Sequence, residues 1–186
     1  MIEFKKVTFS YKGSADILKD FSLTVNKGER VHISAPSGKG KTTLLRIICS
    51  LEKVKKGSFS LENGAKLSVV FQEDRLIPYQ TVKDNVALFS NEKTADVLLE
   101  KLGLEDAKNL FPEELSGGMK RRVALARALS KDFDILLLDE AFTGLDEKAL
   151  ENALKVTNEY LKDKTLVLIS HSEKEAEFLK AKKVNI

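Results

Sequence analysis

The sequence predicts an α/β fold with a mostly parallel sheet, an antiparallel β subdomain at the N-terminus and a helical insert. Four short, nearly continuous apolar runs are typical of strands covered on both faces, as in a parallel sheet: "RVHISA", "LSVVFQ", "DILLLDE" and "TLVLIS". Helical patterns lie between these runs, so strand and helix alternate. The first residues of the chain instead alternate between apolar and polar, which is typical of strands with one exposed face.

Two antiparallel elements are expected in the first part of the chain. Residues 2–25 alternate in two pieces joined at Gly13 and Ser14, which predicts a pair of antiparallel strands. Farther on, Asn63 and Gly64 lie between two alternating runs in "GSFSLENGAKLSVVF". An Asn-Gly pair in that setting predicts a β-hairpin.

Five segments have the apolar spacing of helices: "KTTLLRIICSLE", "TADVLLEKLGL", "GMKRRVALARALS", "EKALENALKVTNEYLK" and "SEKEAEFLKA". Residues 75–130 hold helical patterns and loops without a convincing strand, which predicts a helical insert in a core formed by residues 1–74 and 131–186. There is no internal repeat or low-complexity linker, so we expect a single domain over residues 1–186.

Composition limits the classes of function. The 186 residues include 31 Lys plus Arg and 28 Asp plus Glu, and a net charge of +3 gives little reason to expect nucleic acid as a partner. The single cysteine, Cys49, falls in a predicted helix, so a buried thiol in a reducing compartment is expected. No apolar run approaches the roughly 20 residues that span a bilayer. The chain is therefore expected to be soluble, or held at a membrane through a partner.

A phosphate-binding loop is predicted between the strand "RVHIS" and the helix that follows it. The loop consists of Ala35, Pro36, Ser37, Gly38, Lys39, Gly40, Lys41 and Thr42. Backbone N–H groups at the start of the helix would surround phosphates, Lys41 would reach the outer phosphates, and Thr42 would offer its hydroxyl to magnesium. Ala35 replaces the usual glycine, which the loop tolerates if that residue has a negative φ. The alternative is a surface turn that carries lysines.

Two carboxylates end the strand "DILLLDE". The carboxyl ends of parallel strands are where such sheets bind ligands, so Asp139 would help to hold magnesium and Glu140 would orient or deprotonate an attacking water. The alternative is that these acids cap the next helix. His171 follows "TLVLIS" in the same way and is expected at the same edge of the sheet, whereas His32 lies within a strand and is expected to be structural.

A second glycine-rich helix start occurs in "LSGGMKRRVALARAL". Ser116, Gly117 and Gly118 precede a long helix, and small residues there would let a phosphate approach the helix N–H groups. The phosphate loop already supplies one such site, so this one suggests a second molecule that closes over the nucleotide. The alternative is a flexible turn before a helix with a basic face.

Taken in order, "SAPSGKGKTT", "LSGGM", "LLLDEAFTGLD" and "ISHS" resemble the Walker A, signature, Walker B with D-loop, and switch-histidine segments of ATP-binding cassette (ABC) ATPase domains. "VVFQEDRLIPYQTVKDNVAL" resembles the glutamine loop, in a style similar to the ATPases of nitrate, sulfonate and taurine importers. The resemblance covers essentially the whole chain and implies a P-loop NTPase core that binds and hydrolyses ATP with Mg²⁺.

The resemblance also implies roles for individual positions. Tyr11 would stack on the adenine, Thr43 would join the phosphate loop, and Gln72 would serve magnesium together with Thr42 and Asp139. Glu140 and His171 would act on the water and the outermost phosphate. Ser116, Gly117 and Gly118 would reach the nucleotide held by a partner, and Asp146 would couple the two sites.

Three partners follow from the same resemblance. A second ABC ATPase subunit would bind head to tail, and ATP hydrolysis would drive transport through a membrane-spanning permease. A separate solute-binding protein would deliver the cargo, and the direction most consistent with this set is import. The location would be cytoplasmic, at the inner face of the membrane. Leu76, Ile77 and Tyr79 form an apolar group beside the glutamine loop that would dock on the permease or, alternatively, pack inside the insert.

Several positions depart from the family pattern: Ala35, Met119, Arg121, Ala141 and Ser172. Met119 and Arg121 replace common glutamines of the signature region, and none of the five removes a group assigned to chemistry. Two other functions stay open on the sequence. One is an ABC ATPase that acts on nucleic acid or ribosomes, although the chain lacks a long coiled-coil insert or a second cassette. The other is a nucleotide-binding module without turnover.

Overall fold

The computed structural model describes residues 1–34 and 40–185. A three-stranded antiparallel sheet has the order β2-β1-β4, with β1 at Ile2–Phe9, β2 at Leu18–Val25 and β4 at Lys56–Leu61. The predicted pairing of the first two strands is confirmed: β1 pairs with β2, and it also pairs with β4, both in antiparallel fashion.

One irregularity keeps the core face of β1 apolar. Phe4 and Val7 are both buried although they are three residues apart, because the register of β1 shifts between them and Lys6 has φ 47°. Gly57 of β4 lies against this bulge with φ 80°, and a Cβ there would lie 2.4 Å from the Lys5 carbonyl oxygen and 2.3 Å from that of Lys6. Only glycine fits both the backbone conformation and the space at residue 57.

The second sheet has five parallel strands in the order β5-β6-β7-β3-β8. The strands are β3 at Arg30–Ser34, β5 at Leu67–Val70, β6 at Ile135–Asp139, β7 at Thr165–Ile169 and β8 at Lys182–Asn185. Every residue of β6 and β7 is buried, as the continuous apolar runs predict. The edge strand β8 was not predicted from the sequence.

The predicted hairpin around Asn63 and Gly64 is wrong. A turn does form there, since the Ala65 N–H donates to the Glu62 carbonyl at 3.1 Å and Gly64 has φ 76°. The strands on its two sides belong to different sheets, however, because β4 pairs with β1 whereas β5 pairs with β6. The turn therefore connects the two sheets of the molecule.

Six α-helices are present in the described ranges: α1 at Lys41–Ile48, α2 at Val82–Ala87, α3 at Glu92–Lys101, α4 at Gly117–Ser130, α5 at Glu147–Tyr160 and α6 at Glu173–Phe178. Between residues 75 and 130 there are three of these helices and two single 3-10 turns, but no strand. The helical character of this segment is thus as expected, and its boundaries as an insert stay a prediction. None of the described helices is long and apolar enough to cross a membrane.

The parallel sheet separates two hydrophobic clusters. On one face, Ile135 and Leu137 of β6 pack with the antiparallel sheet and α1. On the other face, Leu136 and Leu138 pack with the helices of the insert and with α5. Alternate side chains of one buried strand therefore join both clusters, which fixes the ends of the parallel strands relative to α1 and α4.

Cys49 follows the last residue of α1 and is half-buried. The prediction of a buried thiol is therefore confirmed only in part. Burial is the main influence on its thiol and raises the pKa to about 11, against a small opposing effect of the Arg75 charge. A neutral thiol of this kind is a poor nucleophile at physiological pH.

Candidate active site

A cavity of about 390 Å³ opens where the parallel strands end and α1 begins. Its lining contains eight residues that the sequence singled out and one that it did not, Ile17: Ile17, Gly40, Lys41, Thr42, Thr43, Gln72, Asp139, Glu140 and His171. Ligands of parallel sheets bind at this edge, so the topology and the cavity agree.

Gly40 starts α1 in a conformation that leaves the end of the helix open. It has φ 93° and, among the described residues, no side chain caps the first turn. A Cβ on Gly40 would lie 2.8 Å from Ile17 Cγ2 and 3.1 Å from Leu18 Cδ2, so neither the backbone nor the space admits a larger residue. The N–H groups of the first turn of α1 are thus available to an anion. Ala35, Pro36, Ser37, Gly38 and Lys39, the other residues of the predicted loop, lie outside the described residues.

Lys41 and His171 meet at the cavity. The Lys41 side chain is buried and its Nζ lies 3.1 Å from His171 Nε2. An ammonium only donates hydrogen bonds, so a hydrogen bond between these two groups has Nε2 as its acceptor. His171 Nε2 also lies 3.6 Å from Glu140 Oε1. The imidazole therefore lies within reach of one cationic and one anionic group.

Asp139, the last residue of β6, is buried and accepts a hydrogen bond from the Thr42 hydroxyl at 3.2 Å. Burial raises the pKa of Asp139, and the neighbouring Glu140 carboxylate raises it further; the Thr42 hydroxyl and the charges of Lys41 and Arg121 oppose this. A cation beside Asp139 would relieve the cost of its burial.

The oxygen atoms of Thr42, Asp139 and Gln72 are ligands of the kind that magnesium prefers. Mg²⁺ takes oxygen ligands, keeps several waters and is usually held by one or two carboxylates together with substrate phosphates. Thr42 and Asp139 already touch, and Gln72 lines the same cavity. No cluster of three or more His, Cys, Asp or Glu able to form an all-protein metal site was found in the described part of the chain. A site completed by phosphate oxygens is the type that this arrangement suits.

Glu140 leaves the strand with a change of direction. It has φ 50°, its N–H donates to the Ile169 carbonyl at 2.9 Å, and its Oε2 accepts a hydrogen bond from the Thr143 hydroxyl at 3.3 Å. A non-glycine residue at such a φ is uncommon and is often found at functional sites. The turn brings the Glu140 carboxylate to the cavity, while the preceding carboxylate of Asp139 stays buried.

Tyr11 lies at the margin of the cavity without lining it. Its side chain is exposed, its ring packs edge-on against Phe9 with centroids 5.0 Å apart, and its hydroxyl lies 3.4 Å from Thr43 Oγ1. Thr43 does line the cavity. The ring of Tyr11 is therefore available to a planar group bound next to Thr43.

The residues expected to serve a partner's nucleotide do not line this cavity. Ser116 is exposed and caps α4 by accepting from the Met119 N–H at 3.2 Å, and Asp146 caps α5 by accepting from the Ala149 N–H at 2.9 Å. A Cβ on Gly118 would lie 3.4 Å from the Gly144 carbonyl oxygen, so the start of α4 lies beside the segment that leads to Asp146. The structure thus forms two separate groups of site residues in one chain.

A buried polar cluster behind His171 was missed by sequence reasoning. The Ser170 hydroxyl donates to Glu175 Oε2 at 2.6 Å, and the Ser172 N–H donates to the Ser170 hydroxyl at 3.0 Å. Burial raises the pKa of Glu175, with the Ser170 hydrogen bond opposing and the Glu140 charge adding. His32 Nε2 lies 2.9 Å from the Ser170 carbonyl oxygen, in keeping with its expected structural role. The Ser-x-x-Glu spacing of Ser172 and Glu175 at the start of α6 is a local pattern that could have indicated part of this cluster, whereas the contact of His32 with Ser170 joins distant positions.

Comparison with known proteins shows the family of the chain. The family described as ABC transporter matches residues 18–143, more than half of the chain. The chain belongs to the ABC transporter family. Among its relatives, the aliphatic sulfonates import ATP-binding protein SsuB of Bacillus licheniformis is 38% identical over 184 residues, covering 90% of this chain and 72% of that protein. The glutamine transport ATP-binding protein GlnQ of Geobacillus stearothermophilus is 35% identical over 195 residues, covering 92% and 80%.

A solved structure supports the same assignment for the whole fold. The ATP-binding cassette MJ0796, in a dimeric post-hydrolysis state bound to ADP and Pi, superposes with a TM-score of 0.88 at 32% identity, covering 96% of this chain and 91% of that one. The chain is therefore an ATP-binding ABC ATPase with the P-loop NTPase fold, as the motifs predicted.

Proposed function

We propose that this ABC ATPase powers an importer, as one of two head-to-tail ATPase subunits bound to a separate membrane-spanning permease. The observation that carries the ATPase part is the convergence of Lys41, Glu140 and His171 on one cavity that also holds the contact between Thr42 and Asp139. Import is supported by the names of the relatives, which describe import or transport ATP-binding proteins for sulfonates and glutamine.

Each group at the cavity receives one task. Lys41 binds the outer phosphates as a point charge, and the open start of α1 donates backbone hydrogen bonds to them. Thr42, Gln72 and Asp139 would hold Mg²⁺, which would neutralise charge on the phosphates. Glu140 orients the attacking water and accepts its proton. His171 contacts the outermost phosphate, and Tyr11 stacks on the adenine.

Completion of the site requires a second chain. Ser116, Gly117, Gly118 and Asp146 lie away from the cavity of their own chain, so a head-to-tail partner would bring this group to the nucleotide. The dimeric state in the name of the MJ0796 structure supports this arrangement. Donors that arrive only on closure would stabilise charge that develops in the transition state, which couples hydrolysis to dimerisation.

Docking on the permease involves the segment that follows the glutamine loop. Tyr79 is 79% exposed, whereas Leu76 and Ile77 are half-buried and Leu76 packs partly against the core. The apolar group is therefore split, and Tyr79 is its accessible member. A photo-crosslinker at Tyr79 should capture a co-purified membrane protein in native membranes. The same crosslinker at Leu51, another exposed apolar residue, should not. Equal yields at both positions would argue against docking at Tyr79.

The remaining features of the proposal follow from this assembly. The ATPase would lie at the cytoplasmic face of the membrane, held there by its permease. A separate solute-binding protein would supply the cargo, and no nucleic acid is expected to take part. Solute choice would belong to the other subunits, because the cavity described here serves ATP.

The test of the two-site assembly is ATP-dependent dimerisation of Glu140→Gln, measured by light scattering with Mg²⁺. The substitution keeps the shape of the side chain and removes the base, so hydrolysis slows and the closed dimer should accumulate. Lys41→Ala in the same background should stay monomeric because ATP binding is lost. ATP binding by Glu140→Gln without any dimer would show that the isolated chains do not close as proposed.

A further inference from the structure

Two arginines of α4 bind the backbone that follows β5. Arg121 Nη1 donates to the Phe71 carbonyl at 3.1 Å, and Nη2 donates to the Gln72 carbonyl at 2.7 Å. Farther along the helix, Arg127 Nη1 donates to the Arg75 carbonyl at 2.9 Å. Residues 71–75 form no strand or helix of their own. Helix α4 therefore holds both ends of this segment.

The middle of the same segment is held at Asp74. Arg127 Nη2 donates to the Asp74 carbonyl at 3.0 Å, and Arg121 Nη1 lies 3.1 Å from Asp74 Oδ1. That oxygen is buried and has no hydrogen-bond partner among the described residues, so the interaction with Arg121 is an ion pair without hydrogen-bond geometry. Only 12% of the Arg121 side chain is exposed. A neutral residue at position 121 would leave the Asp74 carboxylate without this balancing charge.

The held segment contains one residue of the active site. The Gln72 side chain is exposed to the cavity while its carbonyl is fixed by Arg121. The C-terminal end of α4 is tied to β5 as well, because the Ser68 hydroxyl donates to the Ala128 carbonyl at 2.6 Å and Lys131 Nζ donates to the Leu67 carbonyl at 2.8 Å. The place of Gln72 is thus set by α4 and not by its own local structure.

We propose that Arg121 is a positioning residue that fixes Gln72 at the magnesium corner of the cavity. The inference rests on the proposed role of Gln72 and extends it to a residue outside the cavity. Arg121 stands where the family often has a glutamine, and its planar guanidinium supplies donors on two nitrogens to adjacent carbonyls together with a charge for Asp74. Because α4 begins after Ser116, the same helix holds Gln72 in place at one site and presents Ser116 to the partner's nucleotide.

The test measures ATP affinity by calorimetry with Mg²⁺ and with EDTA, so that the factor by which magnesium strengthens binding is obtained without turnover. Arg121→Gln should reduce this factor on the order of tenfold, as loss of an outer support of a metal ligand does. Arg121→Lys keeps the charge but lacks the planar fork of separate nitrogens that serves both carbonyls, so its factor should fall between those of Arg121→Gln and the unsubstituted protein. Lys120→Gln makes the same charge change at the neighbouring residue and should leave the factor unchanged.

A double-mutant cycle with Gln72→Ala separates positioning from general stability. If Arg121 acts through Gln72, adding Arg121→Gln to Gln72→Ala should cause little further loss of the magnesium factor. Additive losses would overturn the inference, as would a lower Tm of Arg121→Gln with an unchanged factor. If Gln72→Ala itself leaves the magnesium factor unchanged, Gln72 is not a magnesium ligand. The inference about Arg121 is then wrong as well. A loss in Gln72→Ala without one in Arg121→Gln overturns the inference alone.

Discussion

Helices α1 and α4 both begin after glycine-rich segments, and the sequence predicts a phosphate site at each. Their N-termini differ in the structure. At α1, Gly40 has a left-handed backbone and leaves the first turn uncapped among the described residues, inside a cavity that holds Lys41. At α4, Ser116 has an extended backbone and caps the helix with its own hydroxyl, on an exposed surface. The start of α1 therefore opens into a cavity of its own chain, whereas the start of α4 is capped and lies on an exposed surface.

The largest effect is expected from a substitution in the α1 site. Lys41→Ala removes the cation that faces the phosphates and should lower ATP affinity and hydrolysis by ~100-fold or more, as removal of a preorganised charge at a phosphoryl-transfer site does. Lys53→Ala, which changes an exposed lysine, is the matched control. Radiolabelled ATP binding and phosphate release measure both. Normal affinity in Lys41→Ala would show that the start of α1 holds phosphate without this side chain.

A second substitution at the α1 site should separate binding from chemistry. Glu140→Gln should lower kcat ~100-fold or more, the usual contribution of a general base, while ATP affinity stays within a few-fold. Steady-state kinetics and equilibrium binding give the two numbers. An equal fall in affinity would mean that Glu140 holds the nucleotide and does not act on water.

The α4 site should show a different pattern. Ser116→Ala should weaken ATP-dependent closure and lower hydrolysis about tenfold, as loss of one hydrogen bond to a charged group does. ATP binding by the monomer should not change, because Ser116 does not line the cavity of its own chain. The substitution also removes a helix cap worth about 1 kcal/mol. Asn91→Ala removes the corresponding cap of α3, whose side chain accepts from the Thr94 N–H at 2.9 Å, and should not affect hydrolysis. Similar losses of hydrolysis in both variants would mean that Ser116 acts only through the stability of its helix.

The smallest effect concerns the far end of α1. Because the pKa of Cys49 is about 11, only about one thiol in a thousand is ionised at pH 8, and alkylation should be slow. The raised pKa means that the rate should keep rising about tenfold per pH unit from pH 7 to 9.5, whereas an ordinary thiol levels off near its own pKa of ~8.5. ATP with Mg²⁺ should slow alkylation further, since a ligand of the folded state opposes opening of the helix. Iodoacetamide labelling followed by mass spectrometry measures the rate, and a plateau below pH 9 would contradict this assignment.

The sequence predicted much of this arrangement because its signals are local. Continuous apolar runs indicated β6 and β7, and residues that follow parallel strands meet at one sheet edge whatever the strand order. The hairpin failed because alternation around Asn63 and Gly64 reports a turn but not which strands pair. Strand β8 was missed because "KKVN" has one apolar residue and forms only in contact with β3. The contacts of Arg121 with Phe71 and Gln72 join positions about fifty residues apart, and no local pattern encodes them.

The left-handed backbone of Glu140 places two neighbouring acids in different environments. In a regular strand, consecutive side chains point to opposite faces of the sheet, so Asp139 and Glu140 could not both serve one ligand. Asp139 stays buried, and burial raises its pKa, whereas the backbone turns at Glu140 and 17% of the Glu140 side chain is exposed. Exchanging the two residues would preserve composition and charge yet place the longer acid in the buried position, so we expect the order Asp-Glu to matter for the proposed catalysis.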